Sequence, residues 1–223
     1  MPYITTDDVT DAEAHYHLGI AYQNGDGVPY DFLEAERLLR SAAAANHVNA
    51  IMVLARQYLH GANVDKNTNE AARLYQLAAF LGDDDAQFEL GNLLIMGTGI
   101  EKDLKNAMYW WDKAAMNGNE TAKKAYLLFL TSTNNKEGLN QMAQCYYRKG
   151  EESQAIEVWE IGAELGDPIC QYKLGSILYR GQRVSEGMDW LEKAAAAGHD
   201  EAKNMIGRIY ETASEVDSID SIG

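Results

Sequence analysis

The sequence repeats itself. From Ala14 the residues Leu18-Gly19, Tyr22, Gly25, Gly27-Val28, Asp31, Ala35, Leu39, Ala42-Ala43 and Asn46 return 36 positions later. They return as Ala50, Leu54-Ala55, Tyr58, Gly61, Asn63-Val64, Asn67, Ala71, Tyr75, Ala78-Ala79 and Gly82. A second step of 36 gives Ala86, Leu90-Gly91, Leu94, Gly97, Gly99-Ile100, Asp103, Ala107, Trp111, Ala114-Ala115 and Gly118. A fixed period of this length is the mark of stacked, like units. Leu18 and Tyr22 lie four apart, as do Ala35, Leu39 and Ala43, so each copy reads as two helices with one apolar face each. Gly25 and Gly27, and again Gly97 and Gly99, fall between the two helices, where a positive φ is needed. The repeated small residues let facing helices approach closely. One helix pair cannot bury its apolar face alone, so the pairs must pile into a solenoid.

The register changes after Ala122. Residues 121–131 read as another first helix, broken by Thr131-Ser132-Thr133-Asn134-Asn135. A new pair follows, with Met142-Ala143 and Tyr146 on its first helix and Ala155, Trp159, Ala163 and Gly166 on its second. Cys170, Leu174-Gly175, Gly181, Val184, Leu191, Ala194-Ala195 and Gly198 form the next copy, at a shorter spacing of 32. Ala202, Ile206-Gly207 and Tyr210 belong to an unpaired last helix, the expected polar-faced cap. The reading is a lead-in (1–11), a first array (12–132), a second array with its capping helix (136–213) and an acidic, disordered tail (214–223) that offers room for a short linear motif. The two arrays form one continuous superhelix or hinge near 131–136.

Leu-Gly-x-x-Tyr, Gly-x-Gly-Val, Asp, Ala, Trp, Ala-Ala and Gly, in that order across roughly residues 12–213, resemble the Sel-one-like repeat, a variant of the tetratricopeptide repeat. The Gly-x-Gly loop is missing at 120–166, where Tyr-Tyr-Arg-Lys-Gly-Glu-Glu is similar to an ordinary tetratricopeptide turn. The resemblance implies an all-α fold, a right-handed α-solenoid superhelix of about twelve antiparallel helices. It also implies a role as adaptor or scaffold.

Charge narrows the partners. The chain carries 19 basic and 34 acidic residues, a net charge of −15. Such a field repels phosphate backbones and anionic lipid, which disfavours nucleic acid and membrane surfaces and favours a basic protein partner. No run of about 18 apolar residues exists. The start, Met1-Pro2-Tyr3-Ile4-Thr5-Thr6, has no basic or apolar run of a signal peptide. A cytoplasmic monomer is therefore expected, unless a leader has been removed.

The candidate chemistry dissolves on inspection. Gly25-Asp26-Gly27 and Gly97-Thr98-Gly99 follow no strand and lead to no Gly-Lys-Ser/Thr, so they are inter-helix turns rather than phosphate loops. Asp65-x-Asn67-x-Asn69 mimics the start of a calcium loop but has Glu70 and Gln76 where Gly and Glu are required. His15 and His17 point away from each other on a helix, and His47, His60 and His199 are scattered. Cys145 and Cys170 sit at helix depths about 10 Å apart, beyond disulfide reach, and read as small core residues. Trp111 and Trp159 read as inter-repeat packing, and Asn119-Glu120-Thr121 as a sequon without consequence. No Ser precedes a Lys by three, and there is no cysteine in every repeat, so the β-lactamase-like activity described for some secreted relatives of the resembled family is not expected here. No catalysis, metal or cofactor is expected.

What remains is a surface. In tetratricopeptide-like solenoids the first helix of each pair lines the concave side. If Leu18, Gly19 and Tyr22 pack on neighbours, positions two before, two after, and five and six beyond Leu18 face the groove. These include Tyr16, Ile20, Met52, Arg56, Leu59, Phe88, Asn92, Met96, Lys124, Tyr147, Arg148, Tyr172, Tyr179, Arg180 and Arg208. A merely solvated face would be rich in Lys and Glu, whereas aromatics, Met and Arg are the residues enriched at binding hot spots. The expectation is a non-catalytic scaffold holding a helix or extended segment of another protein along this groove. The alternative is an acidic immunity or inhibitor protein that masks a basic toxin or effector.

Overall fold

The computed structural model describes the backbone of residues 6–220 and the side chains of residues 11–212. Twelve α-helices and no strand occur among them: α1 (Thr6–Asn24), α2 (Phe32–Ala44), α3 (Val48–His60), α4 (Thr68–Phe80), α5 (Asp84–Met96), α6 (Leu104–Met116), α7 (Glu120–Ser132), α8 (Lys136–Arg148), α9 (Glu152–Glu164), α10 (Pro168–Arg180), α11 (Val184–Ala196) and α12 (Asp200–Asp220). This is the all-α solenoid that the period implies. Two compact units divide between Tyr126 and Leu127, within α7 and before the expected 131–136 break. In the first unit each helix packs on the next from α1 to α6, and in the second from α8 to α12.

The repeated Asp and Asn of the sequence are helix starts. Asp31, Asn67 and Asp103 each accept a hydrogen bond from a backbone N–H three residues on, at the N-termini of α2, α4 and α6. That bond satisfies one of the orphan donors of the first turn. Asn67, the centre of the calcium-loop mimic, is thus a cap. So is Asn119 of the sequon, which is buried, accepts from the Ala122 N–H at 2.8 Å and donates to Asp85 Oδ1 at 2.8 Å. His47 and His199 fill the same slot at α3 and α12 that Asp83 fills at α5 and Asp167 at α10, each offering its ring Nδ1 to a backbone N–H. Their scatter in the sequence is that of helix starts.

Small residues set the spacing between helices. The backbone of Gly91 lies so close to α6 that a Cβ there would strike Trp111 and reach 3.2 Å from the Ala107 carbonyl oxygen. A Cβ on Gly175 would lie 2.8 Å from the carbonyl oxygen of Gly187 on α11. Gly99, at φ +70°, has no space for a side chain against the backbone of Thr68. Around these contacts, Ala50, Ala55, Ala71, Ala78, Ala86 and Ala107 are fully buried with Leu39, Ile51, Leu90 and Tyr75. Trp111 and Trp159 are buried as expected, and so is Trp110. Cys170 is buried and Cys145 half-buried, and both are free thiols.

Two details depart from the sequence reading. No helix precedes α1 among the described residues, and Leu18 is 41% exposed although Leu54, Leu90 and Leu174 in the same slot are buried. The helical backbone of α12 runs to Asp220, through most of the stretch read as a tail from 214; residues 221–223 lie outside the described residues.

The glycines yield opposed predictions. Gly91→Ala should overpack α5 against α6 and destabilise by about 1–3 kcal/mol. Gly207→Ala, in a part of α12 where a Cβ meets open space, should stabilise by about 0.5–1 kcal/mol by removing backbone freedom from the unfolded chain. Urea melts of both variants check this, and an unchanged Gly91→Ala midpoint would refute the close approach.

Candidate functional site

The expected groove residues fall on the first helices of the pairs in both units. In the first unit Tyr16 is half-buried and stacks on His47, ring centroids 4.6 Å apart. His47 Nε2 in turn meets Glu13 Oε2 at 2.9 Å. Ile20 and Leu59 are half-buried against the core. Met52 is 4% exposed and belongs to that core, so the two-before rule overshoots there: Met52 lies beneath the surface that it was expected to line. Arg56 is exposed and reaches the hydroxyl of Tyr75, whose pKa burial pushes up to about 12. Phe88 stacks on Trp111 at 6.2 Å, and its carbonyl accepts from the Trp111 indole at 3.3 Å. Asn92 donates to Glu89 at 3.4 Å, while Met96 and Lys124 are exposed. The cleft among α2, α3 and α4 is lined by none of them.

The second unit does gather them. A cleft of about 200 Å³ opens between α8 and α10. Its walls are Gln144, Tyr147 and Arg148 from α8 and Tyr172, Lys173, Ser176, Ile177 and Arg180 from α10, with Trp159 of α9 at its base. Six of these, Gln144, Tyr147, Arg148, Tyr172, Ser176 and Arg180, occupy slots expected from the sequence; Tyr179 and Arg208 lie outside the cleft. Trp159 is oriented by its indole N–H, which donates to Asn140 Oδ1 at 3.2 Å, and by the Tyr147 ring at 5.6 Å. Tyr172 is held by stacking on His199, centroids 4.6 Å apart, repeating the Tyr16–His47 arrangement. Ser176 donates to Met205 Sδ at 3.4 Å, so α12 braces α10 from behind. Each tyrosine ring of the cleft thus already packs on another ring. Lys173, with its ammonium 5.6 Å from the Tyr172 ring, was missed by the slot rule because it sits one residue off the stripe.

Another cleft, of about 280 Å³, lies among α2, α3 and α4. Its charges cancel: Arg40 pairs with Glu36 at 2.8 Å and hydrogen-bonds the Tyr58 hydroxyl, and Arg73 pairs with Glu70 at 2.7 Å. Among the described residues no three His, Cys, Asp or Glu side chains converge as metal ligands. No described helix is long and apolar enough to cross a membrane.

The repeat geometry and the binding-type cleft define a helical repeat protein of the tetratricopeptide-like class. The chain belongs to the Sel1 repeat family, whose repeat is matched at residues 12–47, 48–83, 84–119 and 168–199. Sel1 repeat proteins are in general non-enzymatic protein-interaction scaffolds. Among solved structures, a Sel1 repeat protein from Oxalobacter formigenes is 38% identical over 53% of this chain and 90% of its own, with a TM-score of 0.51. A protective antigen of uropathogenic Escherichia coli with the same repeat fold is 25% identical over 90% of this chain, at a TM-score of 0.48. This chain spans about half of that antigen, 49% of its length. An immunity protein from Pseudomonas aeruginosa is 20% identical, over 91% of this chain and 70% of its own, at a TM-score of 0.41. No curated protein matches the sequence.

The Tyr16–His47–Glu13 chain has a pH signature. Hydrogen bonds from His47, then His17, hold the Glu13 carboxyl below its ordinary 4.5. A carboxylate with a depressed folded pKa adds stability above its unfolded pKa, which is lost as the pH falls through the folded value. Glu13→Gln should therefore lower the melting temperature slightly at pH 7, with the gap closing below about pH 4.5. Circular dichroism melts from pH 7 to pH 3 test it; a gap that does not change with pH would contradict the assignment.

Proposed function

We propose that this protein is a non-catalytic scaffold or adaptor that binds a segment of another protein on the first-helix face of its solenoid, with the α8–α10 cleft as the main anchor. The observation that carries the reading is the gathering of Tyr147, Arg148, Tyr172 and Arg180 around one cleft whose aromatic rings are already braced. Aromatic and Arg side chains held in place lose little freedom on binding and dominate interface energetics. In the first unit, exposed Arg56 and Met96 and half-buried Tyr16, Ile20 and Phe88 offer a secondary surface of the same kind. An open surface of this sort favours association over chemistry, which needs perturbed titratable groups converging in an enclosed pocket.

A second reading takes the opposite face. Helix α9 carries Glu152, Glu157, Glu160 and Glu164, an acidic stripe suited to masking a basic toxin or effector, in keeping with the net charge of −15. One experiment separates the two. The partner captured from the source cell is purified, and its affinity is measured for the wild type, for Tyr147→Ala/Tyr172→Ala and for Glu157→Gln/Glu164→Gln. The main reading expects a loss of about 30-fold or more in the tyrosine variant, given about 2 kcal/mol for a hot-spot truncation, with its helical melt retained. Loss only in the glutamate variant would transfer the function to the acidic face.

A further inference from the structure

The eight arginines fall into two groups of four. Arg37, Arg40, Arg73 and Arg183 each meet a glutamate within 2.8 Å, and all four lie on, or directly precede, the second helix of a pair. Arg56, Arg148, Arg180 and Arg208 all lie on first helices, and none forms an ion pair with a carboxylate among the described residues. Arg148 donates only to Gln144 Oε1, at 3.4 Å, and Arg208 to the Asn204 carbonyl, at 3.3 Å. In a chain with nearly twice as many acids as bases, four arginines that pair with no carboxylate among the described residues need a reason.

The second unit sharpens the division. Helices α8 and α10 hold Lys136, Arg148, Lys173 and Arg180 against the single acid Glu137. Helices α9 and α11 hold seven acids against Lys193 alone. The α8–α10 cleft has three cations among its lining residues and no acid. Arg148 and Arg180 end their helices and so also complement the helix dipoles, but Lys173, in the middle of α10, gains nothing there.

We infer that the α8–α10 cleft binds a carboxylate: an Asp or Glu side chain of an extended partner segment, held between Arg148 and Arg180 with Lys173 beside it. The inference rests on the scaffold reading and names the ligand chemistry of its anchor. A guanidinium presents paired N–H donors that match a carboxylate, and Arg148 spends one of them only on a long bond to the Gln144 amide. The rings of Tyr147 and Tyr172 take the apolar residues next to the acid. A volume of about 200 Å³ is below the range of small-molecule pockets and suits one or two side chains. A nucleic acid is the poorer occupant, because each added phosphate meets the field of a chain of net charge −15, whereas a single acidic residue presents one charge at a cleft lined by no acid.

The test is a selection from a random twelve-residue peptide library, displayed with both peptide ends blocked, on the intact chain. Enriched peptides are synthesised and their affinities measured for the wild type, for Arg148→Gln/Arg180→Gln, and for Arg37→Gln/Arg183→Gln as the control in paired arginines. The expected result is a recurrent Asp or Glu beside an apolar residue. Changing that acid to its amide, or Arg148 and Arg180 to Gln, should each weaken binding about tenfold or more, while the control leaves it unchanged. Arg148→Lys/Arg180→Lys should recover part of the loss, which a misfolded variant would not. Enriched peptides that lack an acid, yet lose affinity in Tyr147→Ala/Tyr172→Ala, would overturn the carboxylate and leave the scaffold reading standing. Peptides insensitive to both double variants would overturn both. Tighter binding of a twelve-nucleotide oligo-dT than of any enriched peptide would also overturn the proposal.

Discussion

The structure depends on how closely the first helix of each pair can approach the second. At Gly91 no side chain fits against Trp111, and at Gly175 the facing residue on α11 is itself a glycine, so backbone meets backbone. Close packing of this kind tolerates little change in volume. It also fixes rotation. A helix pinned along its glycine and alanine stripe has one face committed to its partner, and the remaining faces are then determined. Gly162 performs a related task between pairs, where a Cβ would meet Cys170 Sγ at 2.5 Å. The thiol is boxed in, and burial, the largest cause, pushes its pKa up.

From that rotation follows the division of charge. On second helices an arginine has a glutamate three or four residues away on the same exposed face, and the two neutralise each other, as Arg37 and Glu34 do at 2.6 Å. Such pairs contribute little stability and hide both charges from a ligand. On first helices the partners are instead Gln144 for Arg148, the Tyr75 hydroxyl for Arg56 and the Asn204 carbonyl for Arg208, which hold the cations without cancelling their charge. The net charge of −15 therefore describes the molecule as a whole and misdescribes the α8–α10 cleft. Exposed apolar rings elsewhere, such as Phe80 and Tyr109 flanking Trp110 with Lys113 over two of the rings, form a separate patch on α4 and α6.

Much of this was legible in the sequence because it is local and periodic. The spacing of Leu90-Gly91 to Ala107 and Trp111 marks a helix pair, and the repeated glycines mark both the turns and the close contacts. The repeated Asp and Asn were visible as repeated letters, yet their role as caps needed the helix starts, and the two histidine caps were hidden by their residue type. The site was only half legible. Slot counting found Gln144, Tyr147, Arg148, Tyr172, Ser176 and Arg180 because these lie where a first helix faces outward. It placed Met52 on the surface because it assumed an identical rotation in every copy, and it missed Lys173 and the contribution of Trp159 because both sit off the stripe. Whether an arginine is paired depends on rotamers and neighbours, which no period encodes.

The central claim is that ligands meet this protein on α8 and α10 rather than on the acidic second helices. Hydrogen–deuterium exchange of the intact chain, alone and saturated with its purified partner, tests it most directly. The account predicts new protection confined in the second unit to residues 140–148 and 172–180. Protection confined to α9 and α11, or to the Phe80–Tyr109 patch, would contradict it.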